Sequence, residues 1–175
     1  MRKKLRILAL MAEGMVPPDD VDNVDVRTAE WKTEFDVVQT LLELGHEVHM
    51  LGVGGDLGPI RAAIHDFEPH LAFNLVEAFD DVATWDQNVV AYLELLKLPY
   101  TGCNSRGLML GRDKALAKKI LMYHRIPAAD FVVFPRGRRV KRPKRLEFPL
   151  IVKSLTLDAS IGISQASVVE GDEKL

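Results

Sequence analysis

Two lysines in the second half of the chain carry the clearest chemical signal. Lys114 follows Asp113 at the head of a helix-like segment that also holds Lys118. Lys153 closes the apolar run FPLIVK, where a charge is costly unless something outside the core meets it. Beyond it lies SLTLDASIGIS, a short polar loop with Ser160 and Gly162. A lysine on a strand end, a small-residue loop beside it and a second lysine on a neighbouring helix suit a polyphosphate. The same residues also fit a plain cap at Asp113, a solvated Lys114 and an edge lysine snorkelling from its strand. Spacing alone leaves both readings open.

Other chemistries find less support. Gly52, Gly54, Gly55 and Gly58 follow the second strand-like run without forming GxGxxG, and a dinucleotide fingerprint belongs after the first. They read as a tight strand-to-helix turn. GxxxxGK[ST] and GxSxG are absent, which excludes a P-loop and a serine nucleophile elbow. The five histidines, at 46, 49, 65, 70 and 124, lack paired-ligand spacing and read as surface or strand-edge residues, so no metal site is expected. Cys103 is the single cysteine and has no internal disulfide partner.

The elements that must position these residues change character along the chain. Leu5 to Met11 is an apolar run suited to a buried strand, and Trp31, Phe35, Val38 and Leu42 then recur on one helix face, with Gly45 where a C-terminal cap belongs. Val48 to Val53 predicts a second strand, and Ile60, Ala63, Ile64 and Phe67 a second helix ending before Pro69. Leu71 to Val76 predicts a third strand, and Val89, Leu93 and Leu96 a third helix ending before Pro99. Strands alternating with helices argue for βαβ units and a parallel sheet. Tyr100 to Gly102 reads as a short extended piece, Asn104 to Gly111 as a turn or short helix, and Asp113 as the cap of a helix turning Leu116, Ile120 and Tyr123 inward. From Ile126 the pattern is strand-like, at Phe131 to Phe134, Leu150 to Lys153 and Ile163 to Val169. An α/β domain over residues 1–106 followed by a smaller α+β unit over 107–175 is the expectation.

Length and composition bound the answer. The chain has 175 residues, 47% apolar and 27% charged, which excludes a disordered tail, a fibre and a disulfide-stapled module. No apolar run approaches the ~18 residues of a membrane span, so a cytoplasmic protein without a membrane partner is expected. The net charge of −2 hides a split. RGRRVKRPKR, from Arg136 to Arg145, holds seven basic residues and no acid, and Glu13 to Asp36 holds eight carboxylates against Arg27 and Lys32. The basic run lies where a hairpin connection belongs and has no interleaved aromatic, which argues for a solvated loop and against nucleic acid.

Taken in order and spacing, FNLVEAF at 73–79, Gln87, LELLKLPYTG at 93–102, DKALAKKIL at 113–121, IPAADF at 126–131 and PLIVK followed by ASIGIS resemble the ATP-grasp ligases of the D-alanine:D-alanine ligase type. The match runs from about Leu71 to Val169. The resemblance implies a parallel-sheet pre-ATP-grasp domain followed by part of the central ATP-grasp subdomain. It implies Lys114 and Lys153 as the lysines that contact nucleotide phosphates, and a flap from Asp158 to Gly162 that closes over them with Ser160 and backbone amides. ATP and Mg2+ are the implied cofactors, small amino acids the substrates, an acyl phosphate the intermediate and peptidoglycan precursors the destination. A homodimer through the N-terminal domain is also implied.

Three departures fall on the amino-acid side of that pattern. After the third strand this chain has Glu77, Ala78 and Asp81 to Thr84, and the flap reads DASIG. After the first strand stands an acidic loop beginning Ala12 and Glu13, which makes Glu13 and Glu77 substrate-side candidates. Another carboxylate–amine ligase therefore fits as well as a strict D-alanine enzyme. The family's third domain should begin near Leu175, so the resemblance implies an N-terminal fragment whose catalytic residues lie elsewhere. A catalytically incomplete homologue, serving as a nucleotide- or anion-binding module, is the alternative.

Overall fold

The computed structural model describes residues 3–157 and 161–175. The chain divides into two compact units, residues 1–106 and 107–175.

In the first unit, β1 (Arg6–Ala12), β2 (Glu47–Val53) and β3 (Leu71–Asn74) form a parallel sheet in the order β2-β1-β3. Ile7 lies opposite Val48 on one side and Leu71 on the other. Central position explains the composition of β1, whose residues Ile7 to Met11 are all buried. Its side chains alternate between two layers. Leu8 and Leu10 join Ile60 and Ala63 of α2 (Gly58–Phe67) and Val89 and Leu93 of α3 (Asp86–Leu95), whereas Ala9 and Met11 pack with Val38 of α1 (Lys32–Glu43). The chain steps outward from β1 to β2 and back across β1 to β3, so two crossovers of one hand place α1 and α2 on opposite faces. The result is the expected α/β layer. Tyr100 adds a parallel bridge to Ala72 beside β3.

Helix ends follow local chemistry. Past α1 the His46 N–H donates to the Leu41 carbonyl and the Gly45 N–H to that of Leu42, with Gly45 at φ +85°. That pair of bonds is a Schellman cap, which needs a left-handed residue. Lys97 fills the same place after α3, at φ +58°.

The second unit holds most of α4 (Ser105–Arg112), α5 (Lys114–Tyr123) and a two-stranded antiparallel ladder, β4 (Leu150–Ile151) with β5 (Val168–Val169). Asp113 caps α5, its carboxylate accepting from the N–H groups of Ala115 and Leu116 at 2.9 Å.

Several expectations need correction here. Phe131 to Phe134 alternates like a strand but lies in no ladder, and the Arg145 guanidinium takes the Phe131 carbonyl at 3.3 Å. Only Val168 and Val169 of the 163–169 run are strand, because a one-turn 3-10 helix over Gln165–Ser167 interrupts it. Tyr123 is 84% exposed and Leu116 37%, and Ala115 alone is buried on α5. An amphipathic pattern specifies a face, not what covers it. The basic run is a loop, as its composition suggested, but it connects no hairpin, because no strand precedes it at Phe131 to Phe134. It turns at Gly137 and is pinned by Arg142, which forks onto Asp172 at 2.7 and 3.0 Å and lies 4.4 Å from the Phe148 ring centre. Among the described residues, no helix is long and apolar enough to cross a membrane.

Candidate functional site

Every strand of a parallel sheet opens its carboxyl end to the same edge. In the order β2-β1-β3 the chain leaves β1 toward one side and β3 toward the other, and the crevice between such diverging loops is where open α/β sheets bind ligands. Glu13 and Glu77, the substrate-side candidates, flank that crevice, Glu13 just past β1 and Glu77 three residues past β3. Both are exposed. The sheet edge itself is tied. The Leu75 N–H donates to the Leu10 carbonyl at 2.8 Å, the Asn74 N–H to Thr101 Oγ1 at 3.0 Å, and the Thr101 N–H to the Ala72 carbonyl at 3.0 Å.

The glycines after β2 have a different purpose from phosphate binding. A Cβ at Gly54 would fall 2.5 Å from Glu13 Oε2, and one at Gly55 would fall 3.1 Å from Asp80 Oδ1. Two carboxylates from different loops therefore converge on the Gly54–Gly55 backbone because no side chain stands in their way. Asp80 was not among the candidates read from the sequence. Its signal is local: Asp80 and Asp81 both have positive φ, in a tight turn where Phe79 bridges to Val82. Aspartate tolerates that conformation better than most residues. An edge so rich in carboxylate suits a cationic group such as an ammonium.

In the second unit the candidates gather around the segment 153–162. Lys114 heads α5, its backbone N–H donating to the Leu155 carbonyl at 3.2 Å and its Nζ to the Leu157 carbonyl at 2.7 Å. The ammonium is thus seated at the entrance to the small-residue loop. Lys153 stands two residues beyond β4 and is exposed. The premise of a lysine within an apolar strand therefore fails, since the strand has only two residues and the side chain bears no burial cost. Gly162 has φ +74° and open space where a side chain would lie. Ser160 lies outside the described residues. Lys114, tied to Leu157, and Lys153 and the left-handed Gly162, from the segment that follows β4, are residue types that suit polyphosphate oxygens. Among the described residues, no group of three or more His, Cys, Asp or Glu is placed to hold a metal ion.

Two of the histidines serve the start of β1. His46 and His70 accept at Nδ1 from the backbone N–H groups of Leu5 and Arg6, where β1 begins.

No protein-family model matches the chain. Among curated proteins, a D-alanine–D-alanine ligase of Syntrophotalea carbinolica is 30% identical over 150 residues, covering 85% of this chain and 46% of that protein. One from Streptococcus uberis is 32% identical over 91 residues (49% of this chain, 26% of that protein), and one from Solibacter usitatus is 36% identical over 83 residues (46% and 26%). Among solved structures, a D-alanine–D-alanine ligase from Bacillus anthracis superposes with a TM-score of 0.68 at 20% identity, over 97% of this chain and 51% of that one. The chain spans from a quarter to about half of the length of these relatives. By its sequence, and by a fold shared over nearly all of its residues, the chain resembles the D-alanine–D-alanine ligase type of ATP-grasp ligase, of which it spans about half.

Proposed function

We propose that the chain forms the substrate-binding unit and part of the nucleotide-gripping unit of an ATP-dependent carboxylate–amine ligase acting on small amino acids in the cytoplasm, as a homodimer. The observation that carries this reading is the Lys114 ammonium fixed on the Leu157 carbonyl, at the mouth of the loop that follows Lys153. Lys114 and Lys153 would neutralise nucleotide phosphates, and Ser160 with the backbone amides up to Gly162 would close over them. Magnesium would arrive with the phosphates, which suits an ion that keeps few protein ligands. Glu13 and Glu77, with Asp80 at the neighbouring Gly55, would hold the ammonium of an amino-acid substrate in the crevice of the first unit.

The chemistry asks for these types. Phosphorylating a carboxylate gives an acyl phosphate, and an amine then displaces phosphate to form the amide, so cations and N–H donors belong where phosphoryl charge develops. A closed loop also keeps water from the acyl phosphate. With D-alanine as both substrates the product would be a peptidoglycan precursor.

Calorimetric titration of the 175-residue chain with Mg·ATP tests the nucleotide side. Lys114→Met and Lys153→Met are each expected to weaken binding by about tenfold or more, the size of one charge-assisted contact. Binding unchanged in both variants would remove the site assignment. In a longer protein that contains this chain, ADP should form with D-alanine or another amino acid and stop with Lys153→Ala. Nucleotide binding without ADP formation there would favour the non-catalytic module instead.

A further inference from the structure

A cavity of about 390 Å³ opens within the second unit. Lys119 and Met122 line it from α5, where a spacing of three puts them on one face, Asp130, Phe131 and Val133 line it from the segment that follows, and Arg145 from the end of the basic loop. Two contacts fix these parts to one another. Lys118 Nζ donates to the Ala129 carbonyl at 2.8 Å and lies 5.5 Å from the centre of the Phe131 ring, and Arg145 Nη2 donates to the Phe131 carbonyl at 3.3 Å. The lining has two chemistries. Met122 and Val133 are exposed and Phe131 is half-buried, an apolar surface that folding leaves in contact with water. Lys119, Asp130 and Arg145 are exposed as well, and none of the three has an ion-pair partner among the described residues. Asp130 precedes Phe131 and Arg145 holds the Phe131 carbonyl, so opposite charges stand close to one residue without neutralising each other.

We propose that this cavity binds a free α-amino acid with a large apolar side chain. The ligand carboxylate accepts from the Arg145 guanidinium and the Lys119 ammonium, the ligand ammonium donates to Asp130, and the side chain covers Met122, Phe131 and Val133. Methionine adapts its shape to such a guest and favours an aromatic one. Charge complementarity selects this occupant. An acid without an amine leaves Asp130 unanswered, an amine without an acid meets two cations, and a polyphosphate brings its charge against Asp130. The volume lies above the ~300 Å³ at which ligand pockets begin, more than an alanine side chain fills. Size therefore separates this ligand from the small amino acids proposed as substrates, and the site stands independently of the ligase reading.

Nitrogen–proton correlation spectra of the 175-residue chain titrated with L-phenylalanine test the proposal. Saturable shifts at millimolar ligand are expected, centred on the amides of Met122, Phe131 and Val133. Phenylpropionate lacks the ammonium, phenylethylamine lacks the carboxylate and D-alanine lacks the apolar side chain, and each should bind about tenfold more weakly or worse. Asp130→Asn should weaken phenylalanine by about tenfold and leave phenylpropionate unchanged, whereas Arg145→Gln should weaken both and leave phenylethylamine unchanged. A loss of folding cannot produce that split. Absence of saturable shifts would overturn the proposal, as would equal binding of phenylalanine and its three analogues. Displacement of phenylalanine by Mg·ATP would assign the shifts to the nucleotide site and overturn it too. Failure of Mg·ATP to bind a chain that still binds phenylalanine would remove the nucleotide assignment and leave this site standing.

Discussion

Glu94 shows how much one exposed carboxylate can organise. Its Oε1 accepts from the Tyr100 hydroxyl at 2.7 Å and from the Ser105 N–H at 3.3 Å, and its Oε2 accepts from the Ser105 hydroxyl at 2.7 Å. It thereby joins α3, the Tyr100 bridge and the first residue of α4. The Tyr100 hydroxyl, followed by Ser105, holds the Glu94 carboxyl below its ordinary value of 4.5, while the same carboxylate pushes the Tyr100 phenol up to about 12. The two shifts act on opposite limbs of a pH profile. A lowered acid stabilises the fold above its ordinary range, and that contribution fades as pH falls through the lowered value. A raised phenol stabilises the fold below pH 10, and that contribution fades as pH rises through about 12. Glu94→Gln should therefore return the Tyr100 phenol toward 10. The measurement is ultraviolet phenolate titration, with Tyr100→Phe subtracted to remove Tyr92 and Tyr123. A Tyr100 midpoint unchanged by Glu94→Gln would mean that the carboxylate does not hold the phenol.

The elements were legible in the sequence wherever a pattern reports on its own surroundings. The β1 run, the 3.6-residue face of α1, the Gly45 cap and the Asp113 cap each state a local requirement, and each is met. Phe131 to Phe134 failed because a strand needs a partner, and partnership is not written in one segment. Lys153 illustrates a related limit at the site, since the cost assigned to its charge depended on a strand length that β4 does not reach. Asp80 was missed because its neighbour, Gly55, comes from another loop. That convergence makes a prediction about the β2 exit. A Cβ at Gly52 would lie 2.9 Å from Glu13 Cα and 3.0 Å from Val16 Cγ2, so Gly52→Ala must move backbone and should cost ~1–3 kcal/mol in denaturant unfolding. At Gly54 the Cβ meets the mobile end of Glu13, and Gly54→Ala should stay within ~0.5 kcal/mol while displacing that carboxylate. Equal losses in the two variants would contradict the seat proposed for Glu13. The left-handed caps give a second check. Lys97→Gly should stabilise by up to ~1 kcal/mol, because it removes the Cβ penalty at φ +58°, whereas Gly45→Ala should destabilise by a similar amount.

At the scale of the whole molecule, the two units differ in how much core each one has. Sixteen of the buried apolar residues lie in the first unit and three, Ala115, Leu146 and Val169, in the second, among the described residues. Burial is the main favourable term in folding, so stability must be unequal between them. The second unit also rests on a sheet of two residue pairs, a size that is marginal in water by itself. Two consequences can be measured together. Amides of β1 from Ile7 to Met11 should be the slowest to exchange, those of β4 and β5 much faster, and thermal unfolding should proceed in two steps with the second unit first. Leu8→Ala, which empties a fully buried position, should cost ~2–5 kcal/mol and lower only the later step. Mg·ATP should act on the earlier step alone, because its proposed contacts lie in the second unit. Saturation at about a hundred times the dissociation constant would add roughly 2.7 kcal/mol there, by mass action. A single cooperative transition, raised as a whole by nucleotide, would instead mean that the units share their stability, and the thin core of the second would then be supported by the first.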